Sequence, residues 1–274
     1  DEIVDPRALA EIMRQWSTFH PEFAFLPRKF KIAFAGARED RAATLLHDIG
    51  FHAVRSEAGE TGLKVIVGGG MGRTPIVGPV IREFLPWREM LTYTEAILRV
   101  YNRYGRRDNL YKARIKILVK ALGPAEFTRQ VEDEWAHLRD SQSTIPEAEL
   151  ARVTAHFGDP AYEALPDAEP AFDEALADNR AFSKWVERNV HGHKRAGYTA
   201  VTLSLKKTGV PPGDASADQM DTVAGLADRF SFGELRVTHE QNLVLADVRK
   251  RDLFALWQAA RTQGLASPTV GLLA

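Results

Sequence analysis

Leu26-Pro27-Arg28-Lys29-Phe30-Lys31-Ile32-Ala33-Phe34 sets two lysines two residues apart inside an otherwise apolar run, and this spacing predicts a β-strand. Successive strand side chains point to opposite faces. Phe30, Ile32 and Phe34 are therefore expected on one face, and Lys29, Lys31, Ala33 and Ala35 on the other. Two ammonium groups then share a face of small residues. With Cα atoms about 7 Å apart, they repel by roughly 2 kcal/mol at an effective dielectric of about 20. An anion bound to that face relieves the repulsion; a solvated strand face with no ligand is the alternative.

Outward from this stretch, the pattern is mixed. Upstream, Pro6 opens a helix in which Leu9, Ile12, Met13 and Trp16 recur at helical spacing. Downstream, residues 50–54 and 62–67 read as strands, the second running into Gly68-Gly69-Gly70. Pro86 opens a long helix carrying Met90, Leu91, Ala96, Ile97, Val100 and Tyr101. Asp108 is expected to cap a further helix with Ile115, Leu118, Val119 and Leu122 on one side, and another helix follows from Pro124 to Leu138. Residues 141–178 are rich in proline, alanine and acids and mark the crossing into a second part. There, a strand at 198–205, a helix at 217–230, two strands within 233–248 and a final helix with Leu253, Phe254, Leu256 and Trp257 fit helices on one face of an antiparallel sheet.

Composition narrows the function. The chain has 274 residues, 45% of them hydrophobic, enough for one large or two medium domains. Lysine plus arginine number 36 against 37 acids, so a polyanion site requires local clustering. No twenty-residue apolar run occurs, and the first residues lack a basic segment followed by an apolar one, which points to the cytoplasm. Cysteine is absent, which excludes disulfides, thiolate zinc sites, cysteine nucleophiles and iron–sulfur clusters held by this chain's own thiols.

Two further groups of residues can carry chemistry. In Val67-Gly68-Gly69-Gly70-Met71-Gly72-Arg73-Thr74, glycines at a strand end allow backbone N–H groups to approach an anion, with a cation and a hydroxyl close behind. A tight turn with no ligand explains the same glycines. Between 99 and 120, Arg99, Arg103, Arg106, Arg107, Lys112, Arg114, Lys116 and Lys120 concentrate positive charge. Lys112, Lys116 and Lys120 follow i, i+4 spacing and read as a solvated stripe. Arg114 shares the side of Leu110 and Leu118, is expected to be partly buried and needs an anionic partner, which nucleic acid or phosphate could supply.

The stretch Leu26 to Lys31, then Val67-Gly68-Gly69-Gly70, Phe84-Leu85-Pro86, Gly105-x-Arg107 with Ala113-Arg114-x-Lys116, and Gly233-Glu234-Leu235-Arg236-Val237-Thr238-His239-Glu240-Gln241-Asn242-Leu243 occur in this order. Together they resemble the siroheme-containing nitrite and sulfite reductase family, in particular its hemoprotein (beta) component. The resemblance implies an α+β fold, with a siroheme/4Fe-4S catalytic domain over 1–165 and a second ferredoxin-like half-domain over 166–274. It implies that Lys29 and Lys31 bind a substrate oxyanion, sulfite or nitrite, over siroheme and help deliver protons. Arg28, Gly68, Gly69, Gly70, Arg73, Arg107 and Arg114 are then expected to hold siroheme carboxylates, with Gln241 and Asn242 contributing from the half-domain.

The family's 4Fe-4S cluster needs four cysteines, which this chain lacks. The chain is accordingly expected to be a central fragment of an assimilatory reductase whose N- and C-terminal parts complete it and whose electrons come from a flavoprotein or ferredoxin. Alone it is expected to be inactive. The alternatives are a non-catalytic module for siroheme or another tetrapyrrole, and a nucleic-acid or phosphate binder using the cations between 99 and 120; neither a membrane nor a nucleic acid is expected as partner under the family reading.

Overall fold

Arg7–Thr18 forms helix α1, whose Ala8, Leu9, Ile12 and Met13 face inward at the expected spacing. A single turn, α2 (Pro21–Ala24), follows, capped by the His20 ring accepting from the Glu22 N–H. Strands β1 (Ile32–Ala35), β2 (Ile49–Arg55), β3 (Thr61–Val67) and β4 (Val80–Pro86) then build a sheet in that order. β1 runs parallel to β2, and the other pairs are antiparallel. Helices α3 (Met90–Tyr104), α4 (Ile115–Leu122), α5 (Pro124–Trp135) and α6 (Glu147–Thr154) complete this part. Phe51, Val65 and Leu85 of the sheet share one core with Tyr93, Ile97 and Tyr101 of α3, Val119 of α4 and Phe127 of α5.

The computed structural model describes residues 2–271. The chain divides at Gly158/Asp159 into two units. In the second, α7 (Pro170–Asp178), α8 (Arg180–Asn189), β5 (Val190–Gly192), β6 (Tyr198–Leu203), α9 (Ala217–Phe230), β7 (Arg236–Val237), β8 (Leu243–Arg249) and α10 (Leu253–Thr262) follow in sequence. The sheet order is β5-β6-β8-β7, antiparallel throughout. α9 starts with a reciprocal capping box between Ser216 and Gln219. Phe182, Trp185, Val201, Phe230, Leu245 and Trp257 form the centre of its core. No described helix is long and apolar enough to cross a membrane.

Three expectations shift. The double-lysine stretch joins the ladder only at Ile32, although its faces divide as expected: Phe30, Ile32 and Phe34 pack on the core while Lys29 and Lys31 are exposed. Pro86 closes β4, and α3 begins at Met90. The helix expected from Asp108 starts at Ile115, because the Asn109 side chain accepts from the Tyr111 N–H and closes Leu110–Lys112 as a separate 3-10 turn. Leu110 is consequently 58% exposed and shares no apolar helix face with Arg114.

Candidate anion site around the double-lysine segment

The β1–β2 register sets Ile32 opposite Ile49, which brings the residues just before them, Lys31 and Asp48, side by side. Asp48 is fully buried and joins three segments. Its Oδ2 accepts from the Lys31 backbone N–H at 2.9 Å. Its backbone carbonyl accepts from the Gly68 N–H at 2.9 Å. Its carboxylate takes the Arg114 guanidinium, with Nε at 2.8 Å and Nη2 at 2.7 Å from Oδ1. A buried carboxylate needs such compensation, and a two-pronged arginine supplies it in fixed geometry. Arg114 is thus partly buried as expected, but its anionic partner is internal. Its fork points at Asp48 and not at an open surface. Asp48 escaped the sequence reading because a single acid ahead of a strand carries no signature.

The Phe30 ring stacks on Tyr101, centroids 5.8 Å apart. Tyr101 in turn donates from its hydroxyl to the Ala113 carbonyl at 2.5 Å. Burial, together with the Asp48 charge, pushes the Tyr101 hydroxyl up to about 12. The segment carrying the lysines is therefore fixed on its inner side by Phe30 and along its backbone by Asp48. Neither the Lys29 nor the Lys31 ammonium has a hydrogen-bond or ion-pair partner among the described residues.

The glycine loop is built for close packing. Gly68 sits at φ +87°. At Gly69 a Cβ would lie 2.2 Å from the Leu45 carbonyl oxygen, so only glycine fits against that backbone. The Gly68 N–H is held by Asp48, and the Gly70 N–H donates to Ile76 at 2.9 Å. These two amides are committed inside the protein, which corrects the expectation of an open N–H nest. Lys116 lies beneath the loop instead of on a solvated stripe: it is 7% exposed, and its Nζ donates to the carbonyls of Thr74 at 2.6 Å and Met71 at 3.2 Å. Desolvation, assisted by Arg114, lowers its pKa below the ordinary lysine value. Arg73 stands on the exposed part of this loop.

The remaining expected contacts divide. Arg28 donates to the Leu110 carbonyl at 3.2 Å with its guanidinium near the Tyr111 ring, and Arg107 donates to the Phe25 carbonyl at 2.8 Å and to Asn102 Oδ1 at 3.0 Å. Both brace the turns beside the lysine segment. Other cations of the 99–120 cluster are neutralised by acids: Arg99 pairs with Glu95 and Glu134, Arg103 with Glu134, and Arg106 with Asp108. Arg107 and the exposed Lys112 and Lys120 have no acidic partner among the described residues, so the cluster is only partly neutralised. In the second unit, Asn242 is 2% exposed and spends its side chain on the Val270 carbonyl and the Leu205 N–H. The neighbouring Gln241, at φ +61°, donates to Pro212. Asn242 is thereby a loop clamp and not a free ligand-binding amide.

Lys29, Lys31 and Arg73 are exposed cations, the donor chemistry that an oxyanion or a carboxylate requires; no residue fits an iron–sulfur cluster, because the chain has no thiol. Among the described residues no group of three or more histidines or acids is placed to hold a metal ion.

Comparison with known proteins bears on this arrangement. Residues 1–138 match the family model described as the nitrite and sulphite reductase 4Fe-4S domain, and residues 194–262 match the nitrite/sulfite reductase ferredoxin-like half domain. A chloroplastic ferredoxin–nitrite reductase of Arabidopsis thaliana is 26% identical over all of this chain and 42% of its own length. Sulfite reductase [ferredoxin] 1 of Mycolicibacterium paratuberculosis is 36% identical over 58% of this chain and 28% of its own length. The solved structure of the Mycobacterium tuberculosis NirA protein superposes with a TM-score of 0.66 at 27% identity, covering 98% of this chain and 42% of that one. The chain thus spans less than half the length of these relatives.

Proposed function

This chain belongs to the nitrite and sulphite reductase family, and on that premise we propose that it contributes the oxyanion-binding face of a siroheme-dependent reductase acting on sulfite or nitrite. One observation supports this most directly. Lys29 and Lys31 are exposed on one side of a segment whose other side and backbone are fixed, and both ammonium groups lack an internal partner among the described residues. Two exposed cations two residues apart, with no acid paired to either among the described residues, offer an incoming anion an uncompensated positive site. Siroheme, when bound, supplies the electron transfer to the substrate.

The chain's own residues supply the electrostatics. Lys29 and Lys31 attract the substrate oxygens and stand ready to donate protons to them. Asp48 keeps the Lys31 backbone in place, so the ammonium group starts from a fixed root. Arg73 offers a third cation from the glycine loop, and Arg28 and Arg107 brace the flanking turns. Electrons would come from a ferredoxin or flavoprotein, through a cluster held by cysteines outside this chain. The isolated chain is inactive on this reading.

Titration of the purified chain with siroheme, followed by absorbance, tests the proposal. Binding is expected to shift the tetrapyrrole bands, and Lys29→Met/Lys31→Met is expected to weaken sulfite or nitrite binding to the loaded chain by about 10- to 100-fold. Unchanged bands with the wild-type chain, or unchanged anion affinity in the double variant, would sink it. Methyl-viologen-driven sulfite reduction by the chain alone would overturn the claim of inactivity.

A further inference from the structure

Residues 159–169 contain neither helix nor strand, yet they are tightly placed against the sheet of the second unit. Tyr162 is the anchor. Its hydroxyl donates to Asp247 Oδ1 at 2.5 Å. Its ring meets Tyr198 edge-on at 5.1 Å and Phe232 at 5.8 Å, with the Arg195 guanidinium 5.3 Å from its centroid. The next residue, Glu163, donates its N–H to the Tyr198 hydroxyl at 3.1 Å. Three residues after the anchor, Leu165 packs over Gly197, where a Cβ would come within 2.4 Å of the leucine Cβ.

The receiving surface has the properties of a binding site. Asp247 is buried, and His193 Nε2 lies 3.1 Å from the same oxygen that Tyr162 reaches. Because His193 Nδ1 accepts from the Arg195 N–H, its Nε2 is the donor to Asp247. Asp247 Oδ2 has no hydrogen-bond partner among the described residues, so the carboxylate is incompletely satisfied even with the tyrosine in place. Phe232, the aromatic wall, is held at φ +52°, a backbone conformation that bulky residues rarely adopt outside sites where the surroundings impose it.

Charge completes the match. Asp159 pairs with Arg195 at 3.0 Å and Lys194 at 3.6 Å, Glu163 with Arg249 at 2.6 Å and Arg251 at 3.0 Å, and Asp167 with Lys250 at 2.6 Å. The three acids are at least 43% exposed, so water and salt compete for these pairs. A segment without helix or strand, an aromatic anchor, a second apolar residue three positions later and flanking acids on a basic rim are the features of a bound peptide.

We propose that this face of the second unit is a recognition surface for an acidic segment anchored by a tyrosine. Residues 159–167 are its resident occupant, and an acidic tyrosine-bearing segment of a partner protein displaces them. Charge complementarity identifies that class of partner: the strap shows which side chains the surface accepts.

The test uses the full chain and a synthetic peptide of residues 158–168. In Tyr162→Ala, hydrogen exchange of the strap is expected to rise to the unprotected rate while β6 and β8 keep wild-type protection. The peptide is expected to bind this variant at least about tenfold more tightly than wild type, because the resident competitor is gone. Raising salt from about 50 to about 500 mM is expected to weaken that binding. Glu163→Gln/Asp167→Asn, which leaves the tyrosine pocket untouched, is expected to raise strap exchange as well. Collapse of β6 and β8 protection together with the strap in Tyr162→Ala, strap protection unchanged in either variant, or equal peptide affinity for Tyr162→Ala and wild type overturns the proposal.

Discussion

Arg114 and Asp48 form a two-pronged ion pair across 66 residues of sequence, with Nη2 at 2.7 Å from both carboxylate oxygens and the acid wholly buried. Its value lies in what it secures, since replacing such a pair by apolar side chains is often neutral while removing one partner is costly. Arg114→Leu leaves a buried carboxylate facing a single backbone N–H. The expected loss is about 3–5 kcal/mol, read as a lowered urea midpoint with an unchanged slope. Asp48→Asn is expected to cost less, because the amide oxygen can still accept from Lys31. A loss under about 1 kcal/mol in Arg114→Leu would show that the pair does not hold this region together.

The glycine loop separates two substitutions that look alike on paper. An alanine at position 69 would drive its methyl to 2.2 Å from a backbone oxygen of Leu45, whereas one at position 70 would meet the flexible Lys116 chain at 3.0 Å. Backbone cannot yield as a lysine side chain can. Gly69→Ala is therefore expected to lower the melting temperature by several degrees, and Gly70→Ala by much less. Equal shifts would mean that the loop relocates as a unit.

Period-two alternation made the outer and inner faces of the lysine segment legible, because Phe30, Ile32 and Phe34 needed a core. Asp48 was not legible: its partners are 17 and 66 residues away, and no local pattern encodes such distances. Lys116 was misplaced for a physical reason. Its i, i+4 relation to Lys112 means something only if both lie on one helix, and the helix starts between them. The glycines misled because the same residue serves close backbone packing and anion cradling, and here the Gly68 and Gly70 amides are already donated.

Tyr101→Phe removes the donor to the carbonyl of Ala113, a residue that is 1% exposed. A buried acceptor left without a partner costs about 1–3 kcal/mol. The loss is to be measured by chemical denaturation at neutral pH. A change below a few tenths of a kcal/mol, in contrast to that range, would indicate that another group takes over the carbonyl.

Alkaline pH sets Tyr101 and Lys116 against each other. The folded protein holds the Tyr101 proton up to about 12 against an ordinary value of 10.0, so between these values the native state binds more protons than the unfolded one. Stability from this group is complete below 10.0 and declines as pH rises through about 12. Lys116 has the opposite sign. Its pKa is lowered from 10.5 by burial, then by Arg114, so just below 10.5 the unfolded chain binds more protons and stability rises with pH. In Lys116→Met the rising contribution disappears, and the stability profile above neutrality is expected to slope more steeply downward than in wild type. In Tyr101→Phe the falling contribution disappears and the profile is expected to flatten. Urea midpoints taken at intervals from neutral to strongly alkaline pH distinguish the two. Parallel profiles for both variants would mean that neither group titrates differently in the folded and unfolded chains, which would contradict the burial of Lys116 beneath the glycine loop.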